Sequence, residues 1–162
     1  MARTWAPKGH TPVVRYLYKQ DRISAISALA VSPKRKRVAL YLKLRRRNLT
    51  GLDVRAFLRH LLRHLRGPVV LLWDRGTIHR RKAVKQWITA HPRLRVEEFP
   101  AYAPELNPAE YVWAQADRAL ANSAPTDVAQ LNGLLRSSVR RLRRTPPLLW
   151  SCIHASDLPW AR

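Results

Sequence analysis

The sequence predicts an α/β fold in which a mixed central sheet is flanked by helices, and three observations carry that expectation. Two segments near the N-terminus alternate in the manner of paired strands. A short run, "PVVLLW" at 68–73, is apolar at every position. After and between these stand stretches whose apolar residues recur at three- and four-residue steps, the period of an amphipathic helix.

In chain order, the opening "TWAPKGHTP" is dense in Pro and Gly and reads as a loop. "RISAISALAV" at 22–31 follows as a strand, and "SPKRK" supplies a charged turn. "RVALYLKL" at 37–44 then places Val38, Leu40 and Leu42 on one face of a second, antiparallel strand. From Thr50 the period changes. Val54, Phe57, Leu58, Leu61, Leu62 and Leu65 form the stripe of a helix ending near Gly67, with Thr50 and Asp53 as its N-terminal cap. The run at 68–73 reads as a strand buried on both faces, and it delivers Asp74 to the strand end where open α/β sheets hold ligands.

Residues 79–90 predict a second helix with Val84, Trp87 and Ile88 turned inward, and "LRVEEF" at 94–99 a further short strand. The loop "PAYAPELNP" leads to a compact helix start, with Asn107 as cap, Pro108 at the first helical position and Glu110 at the third. Val112, Trp113, Ala116 and Leu120 continue the buried face of that helix. A last helix begins near Thr126 and buries Val128, Leu131, Leu135, Val139 and Leu142. Residues 146–162 read as an irregular tail, which leaves 1–145 as the single domain.

Charge narrows the function. The 162 residues hold 31 Lys and Arg against 10 Asp and Glu, a formal +21, so a polyanion is the expected partner. No apolar stretch approaches the roughly 20 residues that span a bilayer, and the N-terminus lacks the apolar core of a secretory signal. A single cysteine, Cys152, allows neither an internal disulfide nor a zinc cluster and suits a reducing interior, so the expected location is the cytoplasm, at the nucleoid. The basic groups Lys34, Arg35, Lys36 and Arg37 in the hairpin turn, and Arg45, Arg46 and Arg47 after the second strand, are candidate phosphate contacts, as are Arg80 and Arg81.

Asp74 and Glu110 are the acids of interest. They stand 110 − 74 = 36 positions apart, and each sits where one element gives way to another. If the strands at 68–73 and 94–99 are neighbours, the helix starting at Asn107 returns Glu110 toward Asp74. Two oxygen donors meeting in a basic protein suit Mg²⁺ or Mn²⁺, and two such ions about 3.5–4 Å apart can serve phosphodiester chemistry. The plainer alternative is that Asp74 caps a turn and Glu110 completes a capping box.

The same residues carry a resemblance. "VVLLWDRGTIHRRKAVKQWI" followed by "LRVEEFPAYAPELNPAEYVWAQADRAL" resembles the catalytic domain of DDE-superfamily transposases of the mariner-like insertion-sequence group, whose pattern runs apolar strand, Asp-Asn-x-x-x-His, then Pro-x-Tyr-Ser-Pro-x-Leu-Asn-Pro-x-Glu-x-x-Trp. Pro100, Tyr102, Pro104, Leu106, Asn107, Pro108, Glu110 and Trp113 match that second block, and "TWAPKGHTP" resembles the group's Trp-x-Pro-x-Gly loop. The resemblance implies an RNase H-like fold, with Asp74 and Glu110 as the second and third acids of a triad holding two Mg²⁺ or Mn²⁺ ions. It also matches His79 to the group's histidine, a candidate DNA contact whose plainer alternative is a partly exposed histidine at a helix start.

Arg75 stands where the group has Asn, and Ala103 where it has Ser. The group's first acid lies on a first strand upstream of the Trp-x-Pro-x-Gly loop, and this chain starts at that loop, so the first strand is expected to be missing. Asp21, Asp53 and Asp117 are poor replacements: a turn, a helix cap, and a position two helical turns beyond Glu110. The implied function is DNA transposition by metal-dependent strand cleavage and transfer, on transposon ends and target DNA, by a homo-oligomer when intact. This chain is expected to be an inactive fragment when alone. The alternatives are a non-catalytic nucleic-acid-binding remnant and a small basic packaging protein.

Overall fold

The computed structural model describes residues 8, 22–120, 123, 125 and 127–160. The elements are β1 (Ser24–Val31), β2 (Val38–Arg45), α1 (Gly51–His64), β3 (Val69–Trp73), α2 (Lys82–Thr89), β4 (Leu94–Glu98), α3 (Pro108–Leu120), α4 (Val128–Arg144) and α5 (Pro146–His154). Their order and kind follow the expectation up to residue 145. The Trp-x-Pro-x-Gly segment, apart from Lys8, and Asp21 lie outside the described residues.

Strand pairing is mixed, and it is split. β1 and β2 pair antiparallel, from Ser24 opposite Arg45 to Val31 opposite Val38, while β3 and β4 pair in parallel from Val69 beside Leu94 to Trp73 beside Glu98. These are two separate two-stranded sheets, and no described strand joins β1 to β3.

Helix α1 holds the two together. Its Val54, Phe57, Leu58 and Leu61 are buried in one cluster with Val84, Trp87 and Leu94, and Ile26 and Ala28 of β1 pack on that cluster alongside Val69, Leu71 and Trp73 of β3. The opposite face of the hairpin is covered from the other side. There Leu40 joins Val112 of α3, Val139 and Leu142 of α4, and Leu149 and Cys152 of α5, with Val38 and Leu42 beside them.

Two expectations are corrected. Residues 146–154 are helical, and Leu149, Cys152 and Ile153 are among the most buried side chains. The two prolines that made this stretch look irregular occupy the first helical turn, where a missing amide N–H costs nothing. The second correction concerns β3, which is not covered on both faces: Val70 and Leu72 are 60% and 41% exposed. An unbroken apolar run signals coverage on two sides, and here only the side facing α1 and α2 is covered.

The ends of α1 are tied to both sheets. At its start, the buried Asp53 carboxylate accepts from the Thr50 amide at 3.0 Å and hydroxyl at 2.9 Å, as the cap predicted. The same carboxylate also receives Arg47 in a two-pronged contact at 2.7 and 3.0 Å, with Arg45 3.4 Å away. At its end, the Arg93 guanidinium beside β4 donates to the carbonyls of Leu62, Leu65 and Gly67.

The Arg47 guanidinium, then the two Thr50 contacts, hold the Asp53 carboxyl well below its ordinary value of 3.8, against the opposing effect of burial. A carboxyl with a depressed folded pKa contributes stability that is full above the unfolded value and is lost as pH falls through the folded one. Asp53→Asn is therefore expected to lower stability by about 1–3 kcal/mol at neutral pH, the low end because Arg47 is half exposed. Urea unfolding should also show a smaller loss of stability below pH 4 in the variant than in the parent.

Candidate active site

β3 ends at Trp73, and the next residue, Asp74, turns out of the sheet. Its Oδ1 accepts from the Gly76 amide at 2.9 Å, a turn closed by the aspartate side chain itself. His79 Nε2 lies 3.1 Å from the same oxygen, and its ring stacks on Trp73 with centroids 4.4 Å apart and planes 18° apart. The imidazole is 15% exposed and the carboxylate 63%. Burial pushes the His79 pKa below its ordinary value, although Asp74, and to a smaller extent Glu98, pull it upward. A neutral ring that donates from Nε2 to Asp74 leaves Nδ1 as a bare acceptor, in agreement with a buried Nδ1 that has no partner.

Gly76 is required by this turn. A Cβ there would lie 2.9 Å from Asp74 Oδ1 and 3.2 Å from the His79 ring. Arg75 bridges the ends of the parallel pair, donating from Nε to the Phe99 carbonyl at 3.1 Å with Glu98 3.6 Å away. Its long cationic side chain thus has a fixed local role.

The second acid arrives on α3. Asn107 caps the helix, its Oδ1 accepting from the Ala109 amide at 3.1 Å, and Pro108 takes the first helical position. Glu110 is exposed, and its carboxylate has no hydrogen bond or ion pair among the described residues, so the capping role considered for it is not used. Asp74, Gly76 and His79 line one cleft together with Asn107, Ala109 and Glu110; the cleft encloses about 390 Å³ and continues between β1 and β3.

Asp53 is bound up in the α1 cap, and Asp117 is exposed on α3 outside the cleft. Among the described residues, no three His, Cys, Asp or Glu side chains gather closely enough to hold a metal ion. The donors that do face the cleft, two carboxylates with unused oxygens, are of the hard type that Mg²⁺ and Mn²⁺ prefer.

Of the candidate phosphate contacts, Lys34, Arg35, Lys36 and Arg37 are exposed in the β1–β2 turn, where the Ser32 hydroxyl accepts from the amides of Lys36 and Arg37. Arg35 reaches back to the Trp160 carbonyl at 3.0 Å. Arg46 is exposed at the end of β2, and its neighbours Arg45 and Arg47 serve Asp53. Arg80 lies 3.7 Å from Glu98, and Arg81 is exposed just before α2.

The sequence profile of the DDE superfamily endonucleases matches residues 1–132. The chain belongs to that family. The catalytic domain of Mos1 mariner transposase has a similar structure, with a TM-score of 0.53 at 16% identity over 84% of this chain and 83% of that one. The Mos1 catalytic domain solved with raltegravir and Mg gives 0.52 at 15% identity over 84% of each chain, and a counterpart was solved with Mn. A simian T-cell lymphotropic virus intasome, in complex with the PP2A regulatory subunit B56 gamma, gives 0.50 at 12% identity over 75% of this chain and 46% of that one. A comparison with curated proteins gives no match. These likenesses show the fold of this DDE-family chain, which is RNase H-like.

Sequence reasoning had placed Asp74, His79 and Glu110 as site residues and had passed over Gly76 and the stacking partner Trp73. A glycine two residues after an acid at a strand exit was the available signal. Because Asp74 raises the pKa of His79, Asp74→Asn is expected to lower it further. An NMR titration of the His79 ring protons reads this directly, and an unchanged midpoint would mean that the two side chains do not interact in solution.

Proposed function

We propose that this DDE-family chain provides the catalytic domain of a DNA transposase, acting through divalent-cation-dependent cleavage and transfer of DNA strands. The observation that carries this reading is that Asp74 and Glu110, far apart in the chain, both line one cleft while the Glu110 carboxylate has no partner among the described residues. The Mg- and Mn-containing Mos1 structures support the choice of ion. Hard cations bound there would polarise the scissile phosphodiester and activate the attacking oxygen.

The chain's own residues do the rest. Asp74 and Glu110 would hold the ions, and His79, braced on Trp73, fixes the Asp74 carboxylate so that its second oxygen keeps one orientation. Positioning of this kind is most of what an enzyme contributes to phosphoryl transfer. The exposed cations at Lys34, Lys36, Arg37, Arg46 and Arg81 place the duplex through its phosphates, without reading sequence. The reaction comprises attack by water, which frees a 3′ hydroxyl, and then attack by that hydroxyl on target DNA, with two transposon ends held by an oligomer.

A second reading, a nucleic-acid-binding protein without catalysis, is favoured by one observation: among the described residues the cleft presents two carboxylates and no third, and no three His, Cys, Asp or Glu side chains gather to hold a metal ion. Manganese titration followed by EPR separates the two. Under the transposase reading, Asp74→Ala and Glu110→Ala each weaken Mn²⁺ binding by about tenfold or more. Unaltered Mn²⁺ binding in both variants, with DNA affinity intact, would leave the binding protein.

The DNA surface has its own test. Replacing Lys34, Lys36 and Arg37 together by alanine should weaken duplex binding about equally for unrelated sequences. It should also reduce the slope of log K against log salt by about 2–3, close to one per lost phosphate contact. Arg45 and Arg47 are unsuitable for this experiment, since their removal also releases Asp53.

A further inference from the structure

The last turns of α1 read "RHLLRH" at 59–64, which sets two histidines four residues apart. Four residues is about one helical turn, so His60 and His64 stand one above the other on one face. Both are exposed. Their ring centroids lie 4.3 Å apart with the planes at 53°, and the Tyr41 ring of β2 flanks both, 5.8 Å from His60 and 6.0 Å from His64. An exposed pair of this kind adds nothing to the core that the other face of α1 builds.

Hydrogen bonding prepares one of the rings as a ligand. His64 Nδ1 lies 2.8 Å from the His60 carbonyl oxygen. A carbonyl can only accept, so Nδ1 carries the proton and Nε2 keeps a free lone pair. Metal-bound histidines hold their second ring nitrogen in this way. The His60 ring makes no hydrogen bond among the described residues, which leaves its nitrogens free to turn toward a shared ion.

The spacing also fits. Two imidazoles bound to one ion at about 2.0–2.1 Å, and about 90–110° apart at the metal, have centroids about 4.5–5.2 Å apart. The pair stands just short of that range, a difference that a small rotation about the side-chain bonds removes.

We propose that His60 and His64 bind one divalent ion of the late first-row transition series, Zn²⁺ or Cu²⁺, as a two-histidine clip across the last turn of α1. Paired histidines at this spacing on one helical face are a recurrent metal-binding arrangement. The ion's other positions go to water, since no third His, Cys, Asp or Glu joins the pair among the described residues.

The surroundings select the ion. Arg143 of α4, Arg63 of α1 and Lys43 of β2 face His60, and they oppose any cation held by charge alone. Mg²⁺ and Mn²⁺, which ask for oxygen donors, are therefore excluded here, whereas Cu²⁺ and Zn²⁺ form strong bonds to imidazole. One local field works in favour of the ion: His64 is the final residue of α1, where the helix end concentrates partial negative charge. The clip thus differs from the Asp74–Glu110 cleft in both donors and ion. It also braces the helix on which both sheets pack, and because the two rings come together only when α1 is folded, binding stabilises the native chain.

The test is calorimetric titration of the full chain with ZnCl₂, in a D74A/E110A background that removes the acids of the cleft. One ion should bind per chain. His60→Asn and His64→Asn should each weaken it about tenfold or more, and His154→Asn should leave it unchanged. At a free Zn²⁺ concentration of about 100 times the dissociation constant, the melting temperature should rise by about 5–10 °C, and in neither of the first two variants. Substoichiometric Cu²⁺ should broaden the NMR ring signals of His60 and His64 before those of His79, His91 and His154. Unaltered Zn²⁺ binding in both H60N and H64N, with the circular dichroism of the parent, would overturn the proposal. So would Cu²⁺ broadening that begins at any other histidine.

Discussion

The joining of the two sheets rests first on the apolar stripe of α1. The two sheets share no described hydrogen bond, so their relative placement is set by side chains, chiefly those from both sheets that settle on Val54, Phe57, Leu58 and Leu61, with Phe99 after β4 packed beside Leu29 and Val31 of β1 as a second contact. Burial of four such side chains contributes at most about 6–12 kcal/mol, whereas a few backbone hydrogen bonds across a joined sheet would each add only about 0.5–1.5 kcal/mol. Packing, then, outweighs pairing as the means of holding the halves. The charged clamps refine that arrangement: Arg47 on Asp53 fixes the angle between β2 and the start of α1, and Arg93 fixes β4 against its end.

The site inherits this division. Asp74 belongs to the half built from β3 and β4, while Glu110 rides on α3, whose Val112 is buried against Leu40 of the hairpin. The two carboxylates thus sit on opposite halves, and among the described residues no bond between them or between the sheets sets their separation. Any change that shifts the hairpin on α1 moves one acid relative to the other. The local order around Asp74 is, by contrast, autonomous, because Trp73, Gly76 and His79 all lie within seven consecutive residues.

Most elements were legible in the sequence because their signals are local. Three- and four-residue steps announced α1, and alternation with a charged turn announced the hairpin; Asn107 followed by Pro108 marked where α3 begins. What escaped detection depends on neighbours distant in sequence. The run at 68–73 reads as doubly buried, yet only contacts made by other elements decide whether Val70 and Leu72 are covered. Pro146 and Pro147 hid α5 because a proline pair resembles a loop until a helix is known to start there. Glu110 was ambiguous for a different reason: capping and ligand roles require the same residue at the same position, and only the unused carboxylate separates them. Spacing returned Glu110 toward Asp74 only on the condition that the strands at 68–73 and 94–99 are neighbours, and the family resemblance implied the pairing without that condition.

The charge of +21 is divided between two uses. Several arginines bind the fold internally: Arg47 and Arg45 hold Asp53, Arg93 caps α1, Arg143 donates to the Leu40 carbonyl at 2.9 Å, and Arg75 ties the ends of β3 and β4. Guanidinium suits these positions, since its forked donors match carboxylates and paired carbonyls, while a lysine would make a single contact. The remaining cations, among them Lys34, Lys36, Arg37 and Arg46, make no side-chain hydrogen bond or ion pair within the described residues. They repel one another with no internal compensation, so the folded chain gains by placing a polyanion among them. Phosphate binding then relieves a cost the protein already carries, and this is why a strongly basic surface with so few acids is more consistent with a standing nucleic-acid partner than with solvation alone.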